Sequence, residues 1–294
     1  MTVPPWGRIA VGTPEPVFEP RPPGPYAFDH PDTACDGWST DRFALRLASV
    51  RGSGHRYYGR PRQDAARATA HPGTGSVVFA VADGVSSAAE AEYGATEACR
   101  AAVERLLHLL EAGPGPLDLA SVVTHAAERL RELARWRLQS ADPAPAEVAG
   151  LYATTLVAGA VRPGPEGARV ELCRVGDSGA WLLDRAEGGY LPLFTAKNAP
   201  EAVVVSQTVS PLPRVPDQLE QLTAQLAAPD LLLVGTDGFG DPLGDGDGQV
   251  GAHFTRALAT PPPPLGFGHL LDFSRETFDD DRTLLAVWPE AGPR

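Results

Sequence analysis

The sequence predicts an α+β layered sandwich. Strand-like segments come in blocks and do not alternate singly with helices, which argues against a doubly wound parallel sheet. Two long helical patterns, Ala88 to Leu110 and Asp118 to Gln139, lie side by side between those blocks. The third observation is a recurrence. Val77-Val78-Phe79-Ala80-Val81-Ala82-Asp83-Gly84 and Leu231-Leu232-Leu233-Val234-Gly235-Thr236-Asp237-Gly238 each run through apolar residues into Asp-Gly, and Val170 to Gly179 is a looser version. Such a run, rich in Val and Leu and stopped by Asp-Gly, reads as a buried strand ending in a turn.

Residues 1 to about 40 are Pro-rich and aperiodic, which predicts an extended arm, with residues 41–294 as the folded domain. Phe43 to Val50 alternates as a strand does. Arg51 to Arg62 is a loop by its glycines, Ala65 to Ala70 begins a strand, and Ser76 to Ala82 is the first strong one. In the first helix Ala91, Ala95, Ala98, Ala102, Leu106 and Leu109 recur at spacings of three and four. Gly113-Pro114-Gly115-Pro116 ends it, and Asp118 opens the second helix through Val122, Ala126, Leu130, Leu133 and Trp136. Ser140 to Gly150 is a Pro-containing loop. Short strands follow at Thr154 to Val161, Arg169 to Val175, Ala180 to Leu183 and Tyr190 to Phe194, with turn signals at Pro163-Gly164 and Gly188-Gly189. Lys197 to Gln221 is an irregular flap, Leu231 to Val234 the second strong strand, and Gly235 to Gly248 a Gly- and Asp-rich loop. A last helical pattern spans Leu265 to Thr277, and the final strand runs from Thr283 to Trp288.

The 294 residues are 43% hydrophobic, enough for a sizeable core. A net charge of −12 argues against nucleic-acid and anionic-membrane binding, which need basic surface. Cys35, Cys99 and Cys173 form no Cys-x-x-Cys pair, so neither zinc nor a disulfide framework is expected, and Cys99 and Cys173 read as small buried side chains. There is no 18-residue apolar stretch and no signal-like apolar segment from Met1 to Pro23, so a cytoplasmic location without a membrane span is expected. No Gly-x-x-x-x-Gly-Lys-Ser/Thr loop and no Gly-x-Ser-x-Gly elbow is present, which sets aside P-loop and serine-hydrolase chemistry.

The chemistry therefore rests on acids. Asp64, Asp83, Asp237 and Asp280, the last with Asp279 and Asp281 as alternatives, each stand at a strand end or a Gly-rich turn. Any single Asp-Gly is an ordinary turn signal. Four carboxylates gathered beside buried strands would repel one another, so together they imply cations. Hard ions such as Mg²⁺ and Mn²⁺ take oxygen ligands, keep several waters, and need few carboxylates each.

At these residues the sequence resembles the metal-dependent protein phosphatases of the 2C type. Arg62-Gln63-Asp64-Ala65 resembles the family's first acidic motif. Phe79 to Ser87, with Gly94 following, resembles the central Asp-Gly motif, and Ala153-Thr154-Thr155-Leu156 the Gly-Thr-Thr strand. Val175-Gly176-Asp177-Ser178-Gly179-Ala180 resembles Gly-Asp-Ser-Arg-Ala. Thr236-Asp237-Gly238-Phe239 and Asp280-Asp281-Arg282-Thr283 resemble the closing motifs. The motifs stand in family order over roughly residues 43 to 290. The resemblance implies a four-layer α-β-β-α sandwich with two Mg²⁺ or Mn²⁺ ions at one edge. It implies that Asp83 bridges both ions, that the Gly84 carbonyl contacts one, that Asp64 acts through water, that Asp237 and Asp280 complete the second, and that Asp177 serves a third. It implies in-line attack of a metal-activated water on a phosphomonoester. The partner is then a phosphoprotein, tied to a bacterial Ser/Thr kinase or its targets.

The departures are specific. Val85 stands where many relatives have a His that donates a proton, and Gly179 where the motif has Arg. The phosphate-binding Arg has no simple counterpart, since Gly59 holds the aligned position. Arg56, Arg60 and Arg62 are the alternatives and Arg60 the choice. His55 reads as an exposed loop residue, either without a role or a proton donor. These departures keep a catalytically weak or inactive regulatory protein as the alternative.

Overall fold

The computed structural model describes residues 6–164, 167–194 and 210–289. Its strands are antiparallel and fall into two sheets. The first has the order β1 (Thr33–Ser39), β2 (Phe43–Val50), β11 (Arg282–Pro289), β10 (Asp230–Gly235), β7 (Gly179–Asp184), β8 (Tyr190–Pro192). The second has the order β3 (Ala65–His71), β4 (Ser76–Ala82), β5 (Leu156–Gly164), β6 (Gly167–Val175), β9 (Glu220–Leu226).

The central strands are apolar throughout because each sheet is covered on both faces. Along β4, Val77, Phe79 and Val81 enter the core between the sheets, while Val78, Ala80 and Ala82 face a helical layer. Along β11, Leu285 and Val287 point between the sheets, and Leu284, Ala286 and Trp288 point outward to a second helical layer. The strict period of two therefore survives as a division between two apolar cores.

The layer on the second sheet is α2 (Ala91–Glu111), α3 (Leu119–Leu138) and α4 (Pro145–Tyr152). Ala95, Ala98, Ala102 and Leu106 make the buried face of α2, and the small side chains let the helix lie close to the sheet. Asp118 caps α3 by accepting from the Ser121 N–H at 3.2 Å. The layer on the first sheet is α5 (Asp237–Leu243), α6 (Gln249–Ala257) and α7 (Pro264–Leu271), with Phe239, Phe254 and Phe267 buried against it. A short helix, α1 (Ser53–Tyr58), follows β2. The chain is thus the four-layer α-β-β-α sandwich expected, and no helix among the described residues is long and apolar enough to cross a membrane.

Several expectations change. The end of the Pro-rich arm is not an extended leader: Thr33–Ser39 forms β1, paired along β2 from Thr33 with Val50 to Ser39 with Ala44. Upstream, the Val11 N–H donates to Ser274 O at 3.0 Å and the Ser274 N–H to Ile9 O at 2.8 Å, so this stretch is pinned to the segment after α7. The loops expected at 51–62, 140–150 and 235–248 contain α1, the start of α4 and α5. The helix expected over Leu265 to Thr277 ends at Leu271. Of the expected flap, residues 197–209 lie outside the described residues, and Glu220 begins β9. Cys99 and Cys173 are buried, as expected.

Candidate metal centre

Both sheets deliver acids to one edge of the sandwich. Asp64 stands immediately before β3 and Asp83 immediately after β4, and Ala65 pairs with Ala82 beside them. Asp237 begins α5 just past the end of β10, and Asp280 lies two residues before β11. Asp177 sits in the turn where the chain leaves the second sheet at β6 and joins the first at β7. Gly235 pairs with both Gly179 and Leu284, so these strand ends are level.

Carboxylate oxygens of Asp83, Asp177 and Asp237 lie within 4.8 Å of one another. A cavity of about 280 Å³ is lined by these three together with Gly84, Thr155 and Asp280. The Asp83 backbone is locked from the neighbouring strand. Its N–H donates to Thr155 Oγ1 at 2.9 Å, and its carbonyl accepts from the Thr155 N–H and Thr154 Oγ1, both at 2.8 Å. Thr155 Oγ1 is also 2.8 Å from Ser178 Oγ, which ties this frame to the turn carrying Asp177. Gly84 has no room for a side chain: a Cβ would sit 2.7 Å from Ala91 O and 2.8 Å from Gln63 O.

Asp64 lies behind the cavity at 3% exposure and accepts from Thr236 Oγ1 at 2.7 Å. Thr236 in turn accepts from the Thr283 N–H at 3.1 Å. Burial, and then the charge of Asp281, hold the Asp64 carboxyl well above the usual range against these hydrogen bonds. Burial, and then the charges of Asp64, Asp237 and Asp280, push Asp83 the same way. Burial leads both shifts and the mutual repulsion of the acids adds to it; a divalent cation would oppose both effects by favouring the ionised carboxylates. An all-oxygen donor set fits a hard ion.

The three adjacent aspartates divide their tasks. Asp280 lines the cavity. Asp281 is buried and structural, accepting from the Gly52 N–H at 2.7 Å and the Gln63 N–H at 2.5 Å. The Asp279 carbonyl accepts from the Gly54 N–H at 2.8 Å. His55 is not the exposed loop residue expected. It is buried on α1, with Nδ1 2.9 Å from Asp281 Oδ1 and Nε2 4.0 Å from Asp280 Oδ1. Burial disfavours its imidazolium, but the Asp281 carboxylate outweighs that and raises its pKa.

The arginines also separate. Arg56 is buried between Asp32 at 2.7 Å and Asp272 at 2.9 Å. Arg62 is buried and donates to Ser49 Oγ at 2.6 Å, to Pro31 O and to the backbone carbonyl of Asp64. Arg60 is exposed and near enough to His55 to oppose its protonation, but it does not line the acidic cavity. The structure thus brings Asp83, Gly84, Asp177, Asp237 and Asp280 together, places Asp64 directly behind them, and leaves Arg60 outside. The sequence assigned no task to Thr155 or Thr236, and offered Asp281 only as an alternative to Asp280 among the metal-binding acids, not as the structural acceptor it is. The Thr-Thr pair next to an apolar run was the visible signal for the first.

A family model described as "Protein phosphatase 2C" matches residues 51–262. Among solved structures, RsbX in complex with magnesium is 13% identical over 87% of this chain and 100% of that one, with a TM-score of 0.55. The serine/threonine phosphatase Stp1 from Staphylococcus aureus is 16% identical over 84% and 95%, with a TM-score of 0.55. The Mycobacterium tuberculosis serine/threonine phosphatase PstP/Ppp is 18% identical over 85% and 100%, with a TM-score of 0.52. At these identities the likeness is one of fold. No curated protein matches the sequence.

Proposed function

The chain belongs to the protein phosphatase 2C family and is a metal-dependent protein phosphatase; on that premise we propose which residues perform the reaction and with which ions. The observation that carries the proposal is the approach of the Asp83, Asp177 and Asp237 carboxylates within 4.8 Å at the meeting edge of the sheets.

Asp83, Asp177, Asp237 and Asp280, with the Gly84 carbonyl as a further oxygen, would hold Mg²⁺ or Mn²⁺, two ions and a third at Asp177. When bound, the ions would neutralise phosphoryl oxygens and make a water acidic enough to attack phosphorus in line. The remaining work belongs to the chain. The Thr154 and Thr155 hydrogen bonds fix the Asp83 backbone, so its carboxylate is aimed without conformational search. Asp64, held by Thr236, adds negative charge behind the site and acts through water. Arg60, exposed and outside the cavity, is the candidate phosphate clamp and would have to swing toward the acids to serve, because Arg51, Arg56 and Arg62 are already committed to structural partners. The substrates are proteins phosphorylated on Ser or Thr by a kinase.

The test is hydrolysis of a phosphothreonine peptide with Mn²⁺ or Mg²⁺, and with a chelator. Asp83→Asn and Asp237→Asn are each expected to lower kcat/KM by about a hundredfold or more, with the circular dichroism spectrum unchanged. Undiminished turnover in chelator, or full activity in either variant, overturns the assignment.

A further inference from the structure

A second cavity adjoins the acidic one. It encloses about 600 Å³ between the β7–β8 hairpin and α5. The two cavities share Asp177 and Asp237, so a chain lying across the acids continues directly into it. Its floor differs in chemistry: Trp181, Pro192 and Phe194 present apolar and aromatic surface.

The floor exists because of the departure at position 179. The Trp181 indole lies across Gly179 and Gly240, where added Cβ atoms would sit 2.4 Å and 3.1 Å from its ring. Any side chain at 179, including the Arg of the related motif, would occupy the place of the indole. The ring is braced edge-on by Phe239 at 5.7 Å between centroids. Phe194 is braced by the Arg174 guanidinium 4.7 Å above its ring. The cavity is therefore shaped by packed aromatics.

Its occupant follows from charge and size. Asp177, Asp237, Asp241 and Asp245 line it against a single basic residue, Arg174, so the lining is acidic on balance and an anionic small molecule is disfavoured. A volume of this order suits an organic group and far exceeds the need of a bound ion. We propose that this cavity is a specificity subsite that receives a large apolar or aromatic side chain of the substrate protein, close in sequence to the phosphorylated residue because the two cavities share Asp177 and Asp237. The inference rests on the phosphatase reading and names its substrate class: phosphoproteins with a bulky apolar residue beside the phosphosite.

The experiment measures kcat/KM with Mn²⁺ on phosphothreonine peptides in which Phe replaces Ala at one flanking position at a time, beside para-nitrophenyl phosphate. In the wild-type enzyme Phe at one position is expected to raise kcat/KM on the order of tenfold or more over Ala. Trp181→Ala, which removes the floor, and Gly179→Arg, which displaces the indole, are each expected to flatten that preference. If the wild type turns over para-nitrophenyl phosphate and every peptide alike, the subsite is refuted while the phosphatase reading stands. Failure on every substrate in Mn²⁺ or Mg²⁺ sinks both. Persistence of the full Phe preference in both variants also refutes the subsite. Should a variant fail to fold, the wild-type series alone decides.

Discussion

At the residue scale the site is an arrangement of unlike environments around like groups. Asp64 and Asp280 are both aspartates at strand ends, yet one is 3% exposed behind the cavity and the other lines it. Which aspartates stand at the meeting edge of the sheets was legible, because an apolar run that stops in Asp-Gly puts a carboxylate at a sheet edge. Which of Asp279, Asp280 and Asp281 faces the cavity was not. Consecutive residues share composition, and only the register of β11 against β2 decides which one turns inward. His55 escaped for a related reason: its neighbouring glycines suggested exposed loop, while its burial comes from Asp281, distant in sequence. The raised Asp64 carboxyl leads to a pH-dependence. Its folded pKa exceeds its unfolded value of about 4, so its stabilising protonated form is complete below that value and lost as pH rises through the folded pKa. In chelator, Asp64→Asn is expected to remove this loss, so that its stability relative to the wild type increases as pH rises. Urea unfolding at several pH values checks it, and a wild-type advantage that grows with pH would contradict it.

At the element scale, what the sequence showed well was periodic and long. The α2 and α3 patterns and the runs of β4, β10 and β11 all matched the structure because burial on a face or on both faces leaves a regular apolar record. The short helices left none. The first residue of α4 is Pro145, allowed there because the first helical N–H needs no partner, and Glu147 reaches back to the Ala144 N–H at 2.8 Å. The Asp-Gly-Phe-Gly-Asp-Pro-Leu sequence of α5 reads as turn, and packing of Phe239 and Leu243 on the sheet overrides that propensity. A core substitution separates stability from chemistry. Leu106 is fully buried between α2, α3 and the second sheet, and it lies fifteen residues along α2 from Ala91, which adjoins Gly84. That is roughly 22 Å at 1.5 Å per residue. Leu106→Ala is expected to cost about 2–5 kcal/mol in urea unfolding while leaving metal-dependent turnover per folded molecule within about twofold. A collapse of turnover in the fully folded variant would show that α2 transmits packing changes to the acidic edge.

At the scale of the whole molecule, two sheets share one apolar core but meet in an edge of mutually repelling carboxylates. Asp83 belongs to the second sheet and Asp237 to the first, and Asp177 sits on the segment that crosses between them. A cation shared by these acids, as proposed, would therefore join the two halves of the sandwich as well as serve the reaction. Because ligation requires both sheets in place, binding draws on the folded state alone, and stability must rise with ion concentration. At a hundred times the dissociation constant the gain is about 2.7 kcal/mol. Thermal unfolding of the chelated protein titrated with Mn²⁺ or Mg²⁺ is expected to show a steady rise in Tm. Asp83→Asn should blunt it, since that side chain reaches toward both Asp177 and Asp237. The net charge of −12 provides the control. Monovalent salt screens the general repulsion without ligating, so at matched ionic strength the divalent ion should retain an excess stabilisation. Equal effects of NaCl and MnCl₂ at matched ionic strength would show that the acids at this edge are merely screened, and the metal assignment would fall with that result.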